Sequence, residues 1–274
     1  MPASRFADAV AGCLLGGAVG DALPAGGRIS AATEMTLGTA EGLTRAHRRF
    51  DLRRVHYAVD ELWSVYRRSP TSGSGEEPGF VDLPVNDSKG CGGVMRVAPI
   101  GLASAHPCGL GIASAALTDG HPSGYLAAGA AAVMIARLRE GAALRPAAEA
   151  GIAAVAQWQG HDETVAALRL ALSLADREPV ASPETVARLG EGRVAEEALA
   201  IAVYCALTGR SFQEALRAAA NHSGDSDSTA AIAGNLLGAA GGRAVVPEEW
   251  VAALEERAVV ERVADDFAAA FAAP

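Results

Sequence analysis

Two aspartates lie close together in the last third of the chain, between hydroxyl side chains and a run of small residues. Asp225 and Asp227 flank Ser226, and Ser228 and Thr229 open a predicted Ala- and Gly-rich helix. Carboxylate and hydroxyl oxygens are the ligands of hard cations such as Mg²⁺. A plain helix N-terminus is the alternative interpretation, because serine and aspartate also cap helices and acidic residues are favoured there. Capping explains one acid and not two, so the pair favours a cation or substrate site.

A glycine-rich stretch supplies a second candidate. Gly90, Gly92 and Gly93 allow backbone amides to converge on an anion, in an arrangement suited to phosphate oxygens. The stretch lacks the P-loop pattern, so a kinase-like nucleotide site is not supported. An ordinary glycine-rich turn fits these residues equally well.

The first predicted helix, Phe6 to Ala22, must position the third candidate, Asp21. Four glycines lie within it (Gly12, Gly16, Gly17 and Gly20), and each costs up to ~1 kcal/mol relative to alanine. We therefore expect a neighbouring backbone to pack closely against this helix. Asp21 is either an acceptor that supports a nearby site or a solvated helix end, and the residues leave both open.

The composition predicts a single all-α domain over residues 1–274. Hydrophobic residues make up 50% of the chain and aromatic residues only 5%, so the apolar mass is mostly Ala, Leu and Val, which favours closely packed helices. Residues 69–85 are rich in Gly and Pro and predict an ordered loop that borders the cleft. The other helices are predicted at 33–49, 52–68, 100–105, 109–118, 122–140, 145–158, 161–175, 183–189, 194–207, 211–221, 228–239 and 247–271.

Charge and hydropathy exclude several classes of protein. The net charge is −9, and no basic cluster is long enough to follow a phosphate backbone, so we expect no nucleic-acid partner. No window of about 18 uninterrupted apolar residues predicts a membrane span, and the N-terminus does not resemble a signal peptide. The four cysteines are widely spaced, without a CxxC pair. We therefore expect a cytoplasmic protein with reduced thiols.

Together, these stretches resemble the ADP-ribosylglycohydrolase family, which includes the dinitrogenase-reductase-activating glycohydrolases and the ADP-ribosyl-acceptor hydrolases. The resemblance covers nearly the whole chain, and the combination of motifs is specific although each is weak alone. The matching segments are Gly12 to Leu23, Ser30 to Leu43, Asn86 to Leu102, Ala115 to Pro122, Gly190 to Ala202 and Asn221 to Gly242. The resemblance implies an all-α fold with a two-magnesium centre that cleaves the bond between ADP-ribose and an acceptor.

The resemblance also implies roles for individual residues. The metal ligands would be Ser30, Asp225, Asp227 and Ser228. If the chain is an active hydrolase, the candidate catalytic residues are Asp227, Asp225 and Asp119, with Asp227 or Asp119 positioning the water. The substrate would contact Ser88, Gly90, Gly92, Gly93, Val94, Met95, Gly120, His121 and Asn221.

The chain departs from the family pattern at the N-terminal half of the metal site. Where the family has Ser/Thr-Asp-Asp-Thr, this chain has Ser30-Ala31-Ala32-Thr33. Two Mg²⁺ ions carry +4, whereas Asp225 and Asp227 supply −2, and a partly buried excess charge is costly. We therefore expect one weak Mg²⁺ site or none.

Two further departures also indicate a site that has lost residues typical of the family. The connection Leu23 to Ile29 is short and holds no acid, and Asp119 stands where the family commonly has a histidine. An alanine pair is also what a laboratory double substitution would leave, but the short connection and Asp119 favour natural divergence.

Three functions remain open at this point. The first is a glycohydrolase with a degenerate metal site, which hydrolyses an N- or O-glycosidic bond of an ADP-ribosyl or related nucleoside-like small molecule. The second is an impaired pseudoenzyme that binds a nucleotide or a partner. The third is a metal-independent biosynthetic enzyme with a repurposed cleft.

Overall fold

The computed structural model describes residues 3–53, 58–69 and 77–272, and they form an all-α fold, as the sequence predicts. Within this part of the chain there are fifteen α-helices, one 3₁₀ turn (Arg243–Val245) and, in place of a sheet, two isolated β-bridges. The helices are α1 (Ala3–Ala22), α2 (Ala31–Arg53), α3 (Ala58–Tyr66), α4 (Gly92–Met95), α5 (Ala98–Ala103), α6 (Pro107–Ala116), α7 (Pro122–Arg139), α8 (Leu144–Val155), α9 (Asp162–Arg177), α10 (Pro183–Ala187), α11 (Ala195–Thr208), α12 (Phe212–Ala220), α13 (Ser226–Gly241), α14 (Glu248–Ala252) and α15 (Arg257–Phe271).

The largest differences from the predicted helices lie in three places. The predicted helix 247–271 is two helices, because the chain turns at Leu254, which is buried, and the Glu255 amide donates to the Gly27 carbonyl at 3.1 Å. Helix α2 continues through residues 50–53, where no proline or glycine interrupts it. Helix α4 lies within the glycine-rich stretch, where no helix is predicted. Residues 54–57, part of the predicted third helix, lie outside the described residues.

Helices α1 and α13 pack against each other at backbone distance. A Cβ atom added to Gly16 would lie 2.5 Å from the Gly234 carbonyl oxygen, and one added to Gly12 would lie 2.5 Å from that of Gly238. Gly20 meets Ala230 in the same way, at 2.1 Å. The predicted close approach of a neighbouring backbone is confirmed, and the glycines of α1 are what allow it.

The register of this helix pair fixes where the polar groups meet. Residue numbers rise along α1 as they fall along α13, so the two helices are antiparallel. The C-terminal end of α1, with Asp21, therefore lies beside the N-terminal end of α13, with Asp227. Asn235 locks the register, because its side-chain amide donates to the Cys13 carbonyl at 2.8 Å in the space that Gly17 leaves open.

Helix α7 forms the centre of the rest of the fold. All of its residues from Ser123 to Ala136 are buried, as expected for a helix that is covered on every side. It packs against α6, α8 and α5, and more lightly against α11 and α13. Asp119 lies three residues before this helix, and a Cβ atom added to Gly124 in its first turn would lie 3.0 Å from the Asp119 Cβ.

The described part of the predicted loop lies against the end of α6. The Gly79 amide donates to the Leu117 carbonyl at 3.1 Å, and Phe80 and Leu83 form a tight turn through mutual backbone hydrogen bonds. Asn86 then donates to the Thr118 carbonyl at 2.8 Å. Residues 77–86 are thus an ordered wall beside residues 117–120, while residues 70–76 lie outside the described part.

Two of the remaining expectations concern the whole chain. None of the helices in the described ranges is long and apolar enough to cross a membrane. All four cysteines have free thiols, with Cys13 and Cys205 buried.

The close packing of α1 on α13 predicts that alanine is not tolerated at its glycines. We expect Gly16→Ala to destabilise the fold by about 1–3 kcal/mol, because the helices must move apart to admit a methyl group. The matched control is Gly109→Ala in α6, where an added Cβ meets nothing within 4 Å; we expect no loss there, since alanine is favoured over glycine in a helix. Urea denaturation measures both, and equal effects of the two substitutions would contradict the packing described.

Candidate functional site

Asp21 is a buried acceptor that holds the start of α2. It is fully buried, and it accepts hydrogen bonds from the Ser30 amide at 2.8 Å, the Ser30 hydroxyl at 2.6 Å and the Thr33 amide at 3.1 Å. Burial raises the pKa of Asp21, although the bonds from Ser30 and Thr33 oppose this. Of the two roles that the sequence leaves open, the supporting acceptor is confirmed. The end of α1 thereby fixes Ser30.

Asp225 and Asp227 form a close carboxyl pair at the start of α13, within reach of Ser30. Burial raises the pKa of Asp225, and the neighbouring Asp227 adds to the effect. Burial also acts to raise the pKa of Asp227, but hydrogen bonds with Asp225, Ser30 and two backbone amides outweigh it and the pKa is lowered. The two carboxyls therefore differ in acidity, and Asp227 is the more acidic of the pair.

Cys91 joins the glycine-rich stretch to this carboxyl pair. Its thiol donates to Asp225 Oδ2 at 3.0 Å, and Ser228 Oγ lies 3.7 Å from the same sulfur. Ser228 in turn donates to Met95 Sδ at 3.6 Å. Burial, with the charge of Asp225, raises the pKa of Cys91 well above its ordinary value, so the thiol stays protonated and acts as a donor. Sequence reasoning missed Cys91, although it is the only side chain between Gly90 and Gly93.

The glycine-rich stretch uses some of its amides within the protein. The Gly90 amide donates to Ser88 Oγ at 3.2 Å and the Cys91 amide to the Arg193 carbonyl at 3.2 Å. Gly92 and Gly93 begin the four-residue helix α4, where amides have no partner within the helix. Of the other predicted substrate residues, Val94 and Met95 are buried, and Gly93 packs closely on Ala115.

Lys89 anchors the same stretch to two helices. Its ammonium group lies 2.5 Å from Glu163 Oε2 on α9 and 3.1 Å from Glu196 Oε1 on α11. Its carbonyl accepts from the Ala195 amide at 2.8 Å. The hydrogen bond with Glu163 raises the pKa of Lys89. The lysine therefore holds the loop in place and is occupied by the protein's own carboxylates.

Asp119 lies beneath the glycine-rich stretch with both of its oxygens engaged. Oδ1 accepts from Ser88 Oγ at 2.7 Å and Oδ2 accepts from Thr118 Oγ1 at 2.7 Å. The side chain is buried, and a Cβ atom on Gly90 would lie 3.2 Å from Oδ1. This carboxylate holds Ser88 and Thr118 by accepting from both hydroxyls, and it is covered by the residues around it.

The remaining predicted substrate residues divide into two groups. Gly120 and His121 are part of the loop framework: the Gly120 amide donates to Asn86 Oδ1 at 3.0 Å, and the His121 amide donates to the Ser88 carbonyl at 3.1 Å. Asn221, at the end of α12, instead lines a cavity of about 290 Å³ with Arg210 and other residues that are not part of the carboxyl cluster.

Two turns support the segment that leads into α13. The Asp225 amide donates to the Glu191 carbonyl at 2.8 Å, which ties the segment to the turn at residues 190–192. Glu197 holds this turn by accepting from the Glu191 and Gly192 amides. His222 holds the other turn, at residues 222–224, because its Nδ1 accepts from the Gly224 amide at 3.1 Å. These contacts leave Asp225 little freedom to move.

The donor set does not fit a two-cation centre. Ala31 and Ala32 place methyl groups at the start of α2, and Ala32 is fully packed in the core. Across residues 3–53, 58–69 and 77–272, no group of three or more His, Cys, Asp or Glu side chains is arranged to hold a metal ion. The two carboxyls supply at most −2 against the +4 of two Mg²⁺ ions. One weak Mg²⁺ site or none stays a prediction.

Comparison with known proteins agrees with this arrangement of segments. The family model of the ADP-ribosylglycohydrolases matches residues 2–274. A solved structure described as an ADP-ribosylglycohydrolase-related protein complex superposes with a TM-score of 0.68 at 26% sequence identity, over 97% of this chain and 99% of that one.

A sequence relative covers a smaller part of the molecule. An uncharacterized protein from Archaeoglobus fulgidus is 32% identical over 180 residues, which is 64% of this chain. The match spans just over half, 56%, of that relative's length.

The turn held by His222 predicts a pH-dependent stability. Burial lowers the pKa of His222, with a smaller opposing effect from the Ala219 carbonyl, and the Gly224 amide bond requires an unprotonated Nδ1. As the pH falls below about 6.5, the unfolded chain binds the proton first, so stability is lost down to the lower pKa of the folded state.

We expect His222→Asn, which keeps an acceptor near Nδ1 without titrating, to flatten the loss of stability between pH 7.5 and pH 5. The comparison is made by urea denaturation against His106→Asn, a change at an exposed ring that should keep the parent slope. An unchanged slope in His222→Asn would show that the turn does not depend on neutral His222.

Proposed function

Because the chain belongs to the ADP-ribosylglycohydrolase family, we propose that it binds an ADP-ribosyl or related nucleoside-like molecule and hydrolyses its N- or O-glycosidic bond. One observation carries this proposal. Ser30, Cys91 and the pair Asp225–Asp227, from three distant parts of the sequence, converge on one polar cluster beside an amide-bearing loop. The convergence is at the ends of α1, α2 and α13, where the backbone is held rigidly.

The carboxyl pair supplies an acid and a base for the reaction. Asp227, the ionised member, takes a proton from water as the water oxygen bonds to the anomeric carbon. Asp225, the less acidic member, carries the proton that passes to the departing nitrogen or oxygen as the glycosidic bond breaks. A proton passed back from Asp227 to Asp225 restores the pair. Neighbouring carboxyls with unequal pKa values are suited to act as a general acid and a general base.

The loop and its neighbours bind and orient the substrate. We assign the diphosphate to the amides of Gly92 and Gly93, because anions bind at amides that begin a helix. The thiol of Cys91 holds Asp225 Oδ2 by donating to it. The Ser30 hydroxyl, which donates to Asp21, lies beside Asp227. The chain lacks the donors for a second cation, so the Lewis acid assistance of that second ion is missing. We therefore expect slow turnover.

Removal of the base tests the mechanism. We expect Asp227→Asn to lower the rate of ADP-ribose release from ADP-ribosylated arginine, serine or small-molecule substrates by about 10²–10⁴-fold, with ADP-ribose binding retained. The control is Asp265→Asn, an exposed carboxylate on α15, which should leave both unchanged. Release is followed by chromatography and binding by calorimetry.

Two results would contradict the proposal in different ways. Binding of ADP-ribose without release from any of these substrates would identify a binding protein. Absence of both would remove the ligand class itself.

Restoring carboxylates at the start of α2 tests the charge argument. Without Mg²⁺, we expect Ala31→Asp/Ala32→Asp to be less stable than the parent, because four carboxylates then crowd one site. Saturating Mg²⁺ should raise its stability by up to ~2.7 kcal/mol at a hundredfold excess over the dissociation constant, and the parent's by much less.

The exposed pair Ala252→Asp/Ala253→Asp is the control for added charge. Thermal unfolding with and without Mg²⁺ gives the comparison. Equal Mg²⁺ stabilisation of the restored variant and the parent would mean that residues 31 and 32 do not set cation binding.

A further inference from the structure

A fully buried arginine lies under the glycine-rich stretch. The guanidinium of Arg96 has no exposed surface, and its Nη2 donates to the Ser114 carbonyl at 3.1 Å and to Thr118 Oγ1 at 2.8 Å. Its Nε and Nη1 groups have no hydrogen-bond partner within the described residues. A buried cation that lacks a compensating charge is costly, so the negative charge that balances Arg96 must be found nearby.

Thr118 connects that cation to Asp119. Its hydroxyl accepts from Arg96 and donates to Asp119 Oδ2 at 2.7 Å. On the far side of the carboxylate, Ser88 Oγ donates to Oδ1 at 2.7 Å and itself accepts from the Gly90 amide at 3.2 Å. An unbroken chain of hydrogen bonds therefore runs from the guanidinium to the backbone of the loop.

Gly92 lies near both charged groups. A Cβ atom added to Gly92 would be 3.9 Å from Arg96 Nη1 and 4.0 Å from Asp119 Oδ2. The same point is thus close to both the positive and the negative group. Both side chains are buried, and Coulomb attraction between buried groups is stronger than in water.

A rigid polar layer supports the arginine from below. Its Cζ lies 3.9 Å from the centroid of the Tyr66 ring, which provides a cation–π contact. The Tyr66 hydroxyl bonds to Ser114 Oγ and Thr39 Oγ1, both at 2.9 Å. Helices α2, α3 and α6 therefore fix the guanidinium, and the guanidinium in turn fixes Thr118.

We propose that Arg96 and Asp119 are a buried charge pair, linked through Thr118, that sets the conformation of residues 86–93. Asp119 is then a positioning residue and not the base that activates water. Both of its oxygens already accept hydrogen bonds, its side chain is covered, and its charge is required to balance Arg96. This inference concerns the free protein, and only its effect on ADP-ribose binding rests on the proposed function.

A double-mutant cycle tests the pairing without any ligand. The variants are Arg96→Met, Asp119→Asn and their combination, compared by urea denaturation. Each single variant leaves one buried charge unbalanced, whereas the double variant removes both charges. We therefore expect the folding equilibrium constant of the double variant to be at least about tenfold larger than the value that additive single effects predict. Additive effects would overturn the proposal. Single variants that fail to fold beside a double variant that folds would support it.

The threonine link gives a second test that preserves the fold. Thr118→Val removes the hydroxyl with little change of shape, and Thr118→Ser keeps it. We expect hydrogen exchange of the Gly90 amide to accelerate at least about tenfold in Thr118→Val and to stay near the parent rate in Thr118→Ser. Thr44→Val, which removes a buried hydroxyl bonded only within α2, is the control for threonine replacement.

The same variants separate this proposal from the proposed function. If the parent binds ADP-ribose, we expect Thr118→Val to weaken binding at least about tenfold and Thr118→Ser to restore it. If the parent does not bind ADP-ribose, the proposed function fails. The double-mutant cycle and the hydrogen-exchange rate of the Gly90 amide still show whether Arg96 and Asp119 are paired. Unchanged exchange in Thr118→Val would overturn the role of the link, whatever the ligand result.

Discussion

The backbone contact between α1 and α13 is the constraint on which the site depends. Glycines on both helices remove the side chains that would hold the axes apart, and the register then brings the end of α1 to the start of α13. Asp21 uses this position to fix Ser30 from one side, and the acidic pair begins α13 on the other. Any change that separates the two helices also separates the two halves of the site.

Charge is the second constraint, and it decides which chemistry the cleft can support. The carboxyl pair Asp225–Asp227 faces a protonated thiol and two hydroxyls, and the start of α2 presents methyl groups. Such a site suits proton transfer by the carboxyls themselves more than the binding of two cations. The third nearby carboxylate, Asp119, is buried beside Arg96 and is engaged by its own neighbours.

The parts of the molecule that sequence analysis predicted were those with a local pattern. The glycine content of α1 predicted close packing, and the spacing of Asp225 and Asp227 predicted a site, because both follow from residues a few positions apart. The role of Cys91 could not be predicted in this way, since its contact with Asp225 joins positions 134 residues apart. Arg96 and the break between α14 and α15 were missed for the same reason: a buried charge partner and the Gly27–Glu255 contact depend on tertiary packing.

We propose that the ADP-ribosylglycohydrolase fold is kept here with a site that holds at most one divalent cation. The most direct measurement is the number of Mn²⁺ ions bound per chain in the presence of ADP-ribose, determined by electron paramagnetic resonance of the free ion during titration. We expect one weakly bound Mn²⁺ or none. Two tightly bound Mn²⁺ ions per chain, with the spin coupling of a close pair, would contradict the claim.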